Sequence, residues 1–82
     1  MNTMQNLGPA SRAQLSAIGI DTIEQLRAND PYAVYARLKQ HNAKVSLNFL
    51  YAIIGAQEGR HWLEIKKERR LEIVLRLEQL AL

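Results

Sequence analysis

The sequence predicts an all-α fold, a compact bundle of about five short helices within a single domain of residues 1–82. Apolar residues recur at helical spacing, most clearly at Leu47, Leu50, Tyr51 and Ile54. No stretch of four or more residues alternates between apolar and polar, as a half-buried strand would. Residues that start and stop helices divide the chain at short intervals.

The composition is that of a small globular domain. Of the 82 residues, 48% are hydrophobic and 23% are charged, and there is no cysteine, so disulfides and thiol chemistry are excluded. The longest apolar stretch, residues 49–56, is far shorter than the roughly 20 residues of a membrane span. Residues 1–7 lack the features of a secretory signal, so we expect a cytoplasmic protein with no membrane contact.

The first helix is expected to begin after Gly8, with Pro9 in its first turn, where the missing N–H costs nothing. It should end at Gly19, which can adopt the left-handed conformation of a helix C-terminus. Ile20 would then pack against Leu15, as in a Schellman motif.

Side-chain caps mark the next two helices. Thr22 and Gln25 have the spacing of a capping box, in which each side chain bonds the other residue's backbone N–H. Asp30 followed by Pro31 predicts the start of a third helix, which runs to about Gln40.

The fourth helix, capped by Ser46, carries the strongest apolar pattern and is expected to be central. Gly55 lies inside it, where glycine costs about 1 kcal/mol relative to alanine, so we expect a neighbouring helix to approach closely there. Gly59 should end the helix. We place six residues in one buried cluster: Leu47, Leu50, Tyr51, Ile54, Trp62 and Val74.

The last helix is expected from about Ile65 to Leu80. Trp62 in the preceding connection should anchor it in the core, the alternative being a surface hot spot. Its apolar residues cover more than half of its circumference, which one contact cannot bury. Leu71 and Leu75 lie on one flank, which we expect to stay exposed and to mediate association. Either a homodimer or a preceding domain could cover this flank.

No group of residues suggests catalysis, so the chain is not expected to be an enzyme or to hold a metal or cofactor. His41 and His61, the two histidines, have no carboxylate at a ligand spacing. The serines lack the glycine-flanked turn of a nucleophile. Glu64, Glu68 and Glu72 follow one helix face, interleaved with basic residues, and are typical of a solvated, salt-bridged surface.

The net charge of +3 is concentrated in residues 60–70. Five basic residues there face two glutamates, whereas the rest of the chain carries equal numbers of basic and acidic residues. Such a cluster either attracts nucleic acid or an acidic partner, or forms an ordinary solvated helix surface. Its candidate contact residues are Lys66, Lys67, Arg69 and Arg70.

Residues 6–26 resemble the second half of a helix-hairpin-helix unit, in which a glycine turn presents a helix N-terminus. The fold implied is a helix-hairpin-helix or SAM-like bundle. The free N–H groups at such a turn suit a phosphate oxygen, which gives sequence-independent DNA contact. The residues concerned are Gly8, Pro9, Ser11 and Arg12. The alternative is a plain structural helix start.

Over residues 5 to 80 the sequence resembles the C-terminal domain of the TfoX/Sxy family. The resemblance rests on Asn6-Leu7-Gly8-Pro9-Ala10-Ser11, Gly19-Ile20-Asp21-Thr22, Ser46-Leu47-Asn48-Phe49-Leu50-Tyr51-Ala52 and Gly59-Arg60-His61-Trp62. It implies a regulator of bacterial competence and DNA transformation, a family thought to cooperate with the cyclic-AMP receptor protein. An N-terminal domain of another fold usually precedes this domain, so we expect either an excised domain or a stand-alone member. The Leu-Pro that often opens the family's last helix is Ile65-Lys66 here.

The expected function is therefore binding. We predict a protein partner from the transcription machinery or its regulators, together with weak, sequence-independent DNA contact. The alternative is a protein-only dimerisation or docking domain without direct DNA contact.

Overall fold

A computed structural model describes residues 6–82, which form five α-helices and no strand. The all-α prediction is confirmed. The helices are α1 (Pro9–Ala17), α2 (Ile23–Arg27), α3 (Pro31–His41), α4 (Leu47–Glu58) and α5 (Trp62–Leu80).

The end of α1 is the Schellman motif that the sequence predicts. The Ile20 N–H donates to the Leu15 carbonyl at 2.9 Å, and the Gly19 N–H donates to the Ser16 carbonyl at 3.0 Å. Gly19 has a φ of +89°, which favours glycine because it has no Cβ. Leu15 and Ile20 are both buried, so this turn is held from the core side as well.

The predicted caps of α2 and α3 are confirmed. Thr22 Oγ1 accepts from the Gln25 N–H, and Gln25 Oε1 accepts from the Thr22 N–H, both at 3.1 Å. Asp30 Oδ2 accepts from the Ala33 N–H at 3.2 Å. Ser46 is the residue before α4, as predicted, but its hydroxyl makes no cap hydrogen bond.

Helix α4 is the centre of the bundle and packs against α2, α3 and α5. Its buried residues come from every side of the helix, since Leu50, Tyr51, Ile53 and Ile54 are all nearly inaccessible. The prediction of a central helix is therefore correct.

The predicted core needs correction at three positions. Leu47 and Trp62 are only partly buried and pack against the edge of the core. Val74 is also only partly buried and is not one of the core residues of α5, which are Ile65, Ile73 and Leu77.

Helix α5 begins three residues earlier than predicted. His61 Nδ1 accepts a hydrogen bond from the Leu63 N–H at 3.1 Å, so a histidine caps the helix. Trp62 is consequently a helical residue and not part of the connection.

The close approach predicted at Gly55 is present, but a turn makes it and not a helix. A Cβ on Gly55 would lie 2.5 Å from the Arg60 carbonyl oxygen and 2.6 Å from Asn6 Nδ2. The Arg60 N–H donates to the Gly55 carbonyl at 2.8 Å, so the chain folds back over the glycine. Asn6 joins this turn from outside, donating to the Arg60 carbonyl at 2.8 Å and accepting from the Trp62 N–H at 3.2 Å.

Leu50 tests the central position of α4, because its side chain is fully buried. Leu50→Ala should lower the free energy of unfolding by about 2 to 5 kcal/mol. The matched control is Leu71→Ala, which removes the same atoms from a side chain that is 73% exposed and should cost below about 0.5 kcal/mol. Chemical denaturation of both variants measures the difference, and equal losses would contradict the assignment of the core.

Gly55 offers a test in which helix propensity and packing oppose each other. Propensity alone predicts that Gly55→Ala stabilises the protein by about 1 kcal/mol. The crowding by Arg60 and Asn6 predicts a net loss of at least about 1 kcal/mol instead. Gly8→Ala is the control, since a Cβ at Gly8 would meet no atom within 4 Å. A Gly55→Ala protein that is more stable than the parent would show that the turn can move to accommodate the Cβ at no cost in stability.

Candidate interaction surface on helix α5

Helix α5 divides into a buried and an exposed face. Ile65, Ile73 and Leu77 are buried, whereas Leu71 is 73% exposed and Leu75 is 48% exposed. The structure thus buries the flank that holds Ile73 and Leu77 and leaves the other one open. The prediction that Leu71 and Leu75 are exposed is correct, while their role in association stays a prediction.

Two open grooves meet at Leu71. The larger, of about 720 Å³, lies between α5 and the start of α3 and is lined by Asp30, Tyr32, Leu71, Glu72, Leu75, Arg76 and Gln79. The smaller, of about 440 Å³, is lined by Lys67, Glu68, Arg70, Leu71 and Val74. Leu71 therefore forms a ridge between two grooves whose other lining residues are mostly polar or charged, and basic side chains border the smaller groove.

The four predicted basic contacts of α5 differ in availability. Arg69 donates to both carboxylate oxygens of Glu58, at 2.5 and 2.7 Å, and is committed to that pair. The Lys66 amine lies 6.0 Å from the centre of the Trp62 ring. Lys67 and Arg70 are exposed and make no ion pair within residues 6–82. Only these two are fully available to a partner.

Arg60 forms salt bridges with both glutamates of residues 60–70. Its guanidinium contacts Glu64 at 3.0 Å and Glu68 at 2.6 Å. The hydrogen bonds raise the pKa of Arg60 above its usual range, and the same bond lowers the pKa of Glu68. The salt-bridged glutamate face expected from the sequence is present for these two residues, but their partner precedes the helix.

The start of α1 is exposed and carries no side-chain cap. Gly8 occupies the capping position without such a bond, and its carbonyl accepts from the Arg12 N–H at 2.9 Å. Gly8, Pro9 and Arg12 are exposed, and Ser11 is half-buried. Three of the four predicted phosphate contacts are thus exposed, and no side chain caps the first-turn amides within residues 6–82.

The two predicted contact regions approach each other at Trp62. Ser11 and Trp62 are among the residues that line a depression of about 240 Å³, and the Lys66 amine lies 6.0 Å from the centre of the Trp62 ring. The bonds from Asn6 to Arg60 and Trp62 bring the start of α1 beside the start of α5. Sequence reasoning missed Asn6, because a side chain that bridges residues 54 and 56 positions away gives no local pattern.

The histidines have structural positions. His61 caps α5, with its ring stacked at 6.0 Å on that of Trp62, and His41 is in the last turn of α3. The described part of the chain contains no group of three His, Cys, Asp or Glu side chains placed to hold a metal ion. Nor does any helix in residues 6–82 have the length and apolar content to cross a membrane.

Comparison with known proteins places the chain in a family. The family model described as the TfoX C-terminal domain matches residues 1–77. The chain belongs to the TfoX C-terminal domain family. This is a family of regulatory domains that are not known as enzymes. No curated protein and no solved structure matches the chain.

The Arg60–Glu68 pair should appear in the acid dependence of stability. Because folding lowers the pKa of Glu68 from its ordinary value of 4.5, the carboxylate stabilises the protein above that value and loses its effect as the pH falls through the lowered pKa. Between about pH 5 and pH 3, Glu68→Gln should therefore lose less stability than the parent. Glu72→Gln is the control, since Glu72 makes no ion pair in residues 6–82. Identical acid profiles for Glu68→Gln and the parent would contradict the pairing.

Proposed function

We propose that this TfoX C-terminal domain is a non-enzymatic module that regulates competence and DNA transformation by binding a protein partner through the outer face of α5. The observation that carries the proposal is the exposure of Leu71 and Leu75 in the middle of that face. Competence is proposed on family membership.

The make-up of the face supports protein binding. Interfaces commonly have an apolar centre and a polar rim, and contiguous exposed apolar patches rimmed by polar residues mark interaction sites. Here Leu71 and Leu75 border two grooves, and Lys67 and Arg70 lie on the rim of one. The charge of this rim is positive and is not neutralised by ion pairs within residues 6–82.

We further propose weak, sequence-independent contact with the DNA backbone. The α1 start supplies open N–H groups at Ala10 and Ser11 beside Arg12, and α5 supplies Lys66, Lys67 and Arg70. Arg69, also named from the sequence, is less suited because Glu58 holds it. The alternative is protein docking alone, which the commitment of Arg60 and Arg69 to glutamates supports.

A salt-titrated binding assay with duplex DNA separates these two functions. The parent should bind weakly near about 50 mM salt and lose affinity steeply as salt is added. Lys67→Glu with Arg70→Glu should bind more weakly, and its slope against the logarithm of salt should be about 2 units shallower, since each phosphate contact adds about 0.9.

The matched control is Lys39→Glu with Lys44→Glu, which makes the same change in net charge outside the proposed contacts. It should retain most of the affinity and the parent's slope. No detectable binding by the parent near about 50 mM salt would rule out DNA contact by this domain and leave protein docking as its function.

A further inference from the structure

We propose that the partner of the α5 face is a second copy of this chain, with the two α5 helices antiparallel. The pairing face is a stripe of four residues, Lys67, Leu71, Val74 and Glu78, here called the α5 stripe. This inference rests on the proposed function, because it names the occupant of the same surface.

The spacing of the stripe is that of a helix-pairing seam. Its members are separated by four, three and four residues, which keeps them on one side of a helix that packs along another. Lys67 and Glu78 are eleven residues apart, or about 16 Å along the axis. Leu71 is the most exposed of the large apolar residues, Lys67 and Glu78 are exposed, and Val74 is half-buried at the side. All four can therefore meet a partner helix.

The order of the side chains makes the stripe its own complement. It begins with a base, continues with two apolar residues and ends with an acid. A two-fold axis between residues 72 and 73 places Lys67 of each copy opposite Glu78 of the other, and Leu71 opposite Val74. A parallel pair would instead place lysine on lysine and glutamate on glutamate, so charge selects the antiparallel arrangement.

The charges at the two ends of the stripe are available for such pairing. Within residues 6–82, neither Lys67 nor Glu78 makes an ion pair. Of the acids near Lys67, Glu64 and Glu68 are engaged, since both bind Arg60. A second α5 offers a glutamate to Lys67 and a lysine to Glu78 at the same time, so both charges can be paired.

The grooves on both sides of Leu71 extend the contact. Leu71 separates the larger groove, lined by Tyr32 and Leu75, from the smaller groove, lined by Val74. Leu71 of one copy can therefore enter a groove of the other copy. A seam of three helical turns is nevertheless smaller than the roughly 800 Å² per partner of a standard interface. Association should therefore be weak and should depend on concentration.

Sedimentation equilibrium of the chain, from about 10 µM to about 1 mM, tests the proposal. The parent should move from monomer toward dimer over this range. Lys67→Glu and Glu78→Lys should each raise the dissociation constant by at least about tenfold, because each places like charges opposite one another. An equimolar mixture of the two variants should associate again, as should the double variant K67E/E78K. Lys44→Glu, an exposed lysine outside α5, is the control and should behave as the parent.

Two results would overturn the proposal. A monomer at every concentration would exclude the dimer, and a dimer in which neither the mixture nor the double variant is restored would place the contact elsewhere. Glu78→Lys distinguishes a loss of dimerisation from a loss of DNA binding. Its added positive charge should strengthen DNA binding but weaken the dimer, because it places two lysines opposite each other. If the parent is monomeric but binds another protein through Leu71, the proposed function stands and only the identity of the partner is wrong.

Discussion

The turn over Gly55 is the constraint on which the arrangement of the outer surface depends. The chain leaves α4, reverses at Gly59 in the left-handed conformation, and brings the Arg60 carbonyl to within 2.5 Å of the place a Cβ of Gly55 would occupy. The Asn6 amide then ties Arg60 and Trp62 together, so the entry of α5 is fixed at its first residue. Because α5 is long and packs mainly on α4, a fixed entry decides which of its faces is buried along its whole length.

The same turn also determines which charges remain on the surface. It places the Arg60 guanidinium beside Glu64 and Glu68, and the packing of α5 along α4 brings Arg69 to Glu58. These pairs remove two of the basic residues of the segment from contact with a partner. The outer face is left with a short apolar ridge at Leu71 and Leu75 and with charges that find no partner in residues 6–82. The proposed binding surface thus depends on how the turn and α4 orient α5, not on a local sequence motif.

Local rules predicted most of the fold and little of the site. The caps at Thr22 and Asp30 and the Schellman turn at Gly19 depend on residues a few positions apart, so their geometry can be derived from the sequence. The start of α5 was misplaced because a histidine caps it, and Val74 was placed in the core because periodicity cannot tell two flanks of a wide apolar arc apart. Arg69 was counted as available because its partner Glu58 precedes α5 by several residues and approaches only through the turn.

The central claim is that the outer face of α5 pairs with a second copy of the chain, and nuclear magnetic resonance tests it most directly. Amide spectra of the ¹⁵N-labelled chain, recorded at increasing concentration, report on every residue at once. The account predicts progressive shifts confined to residues 67–78 and the bordering start of α3, with α1 and α2 unchanged. Spectra that do not change with concentration, or shifts centred on another surface, would contradict it.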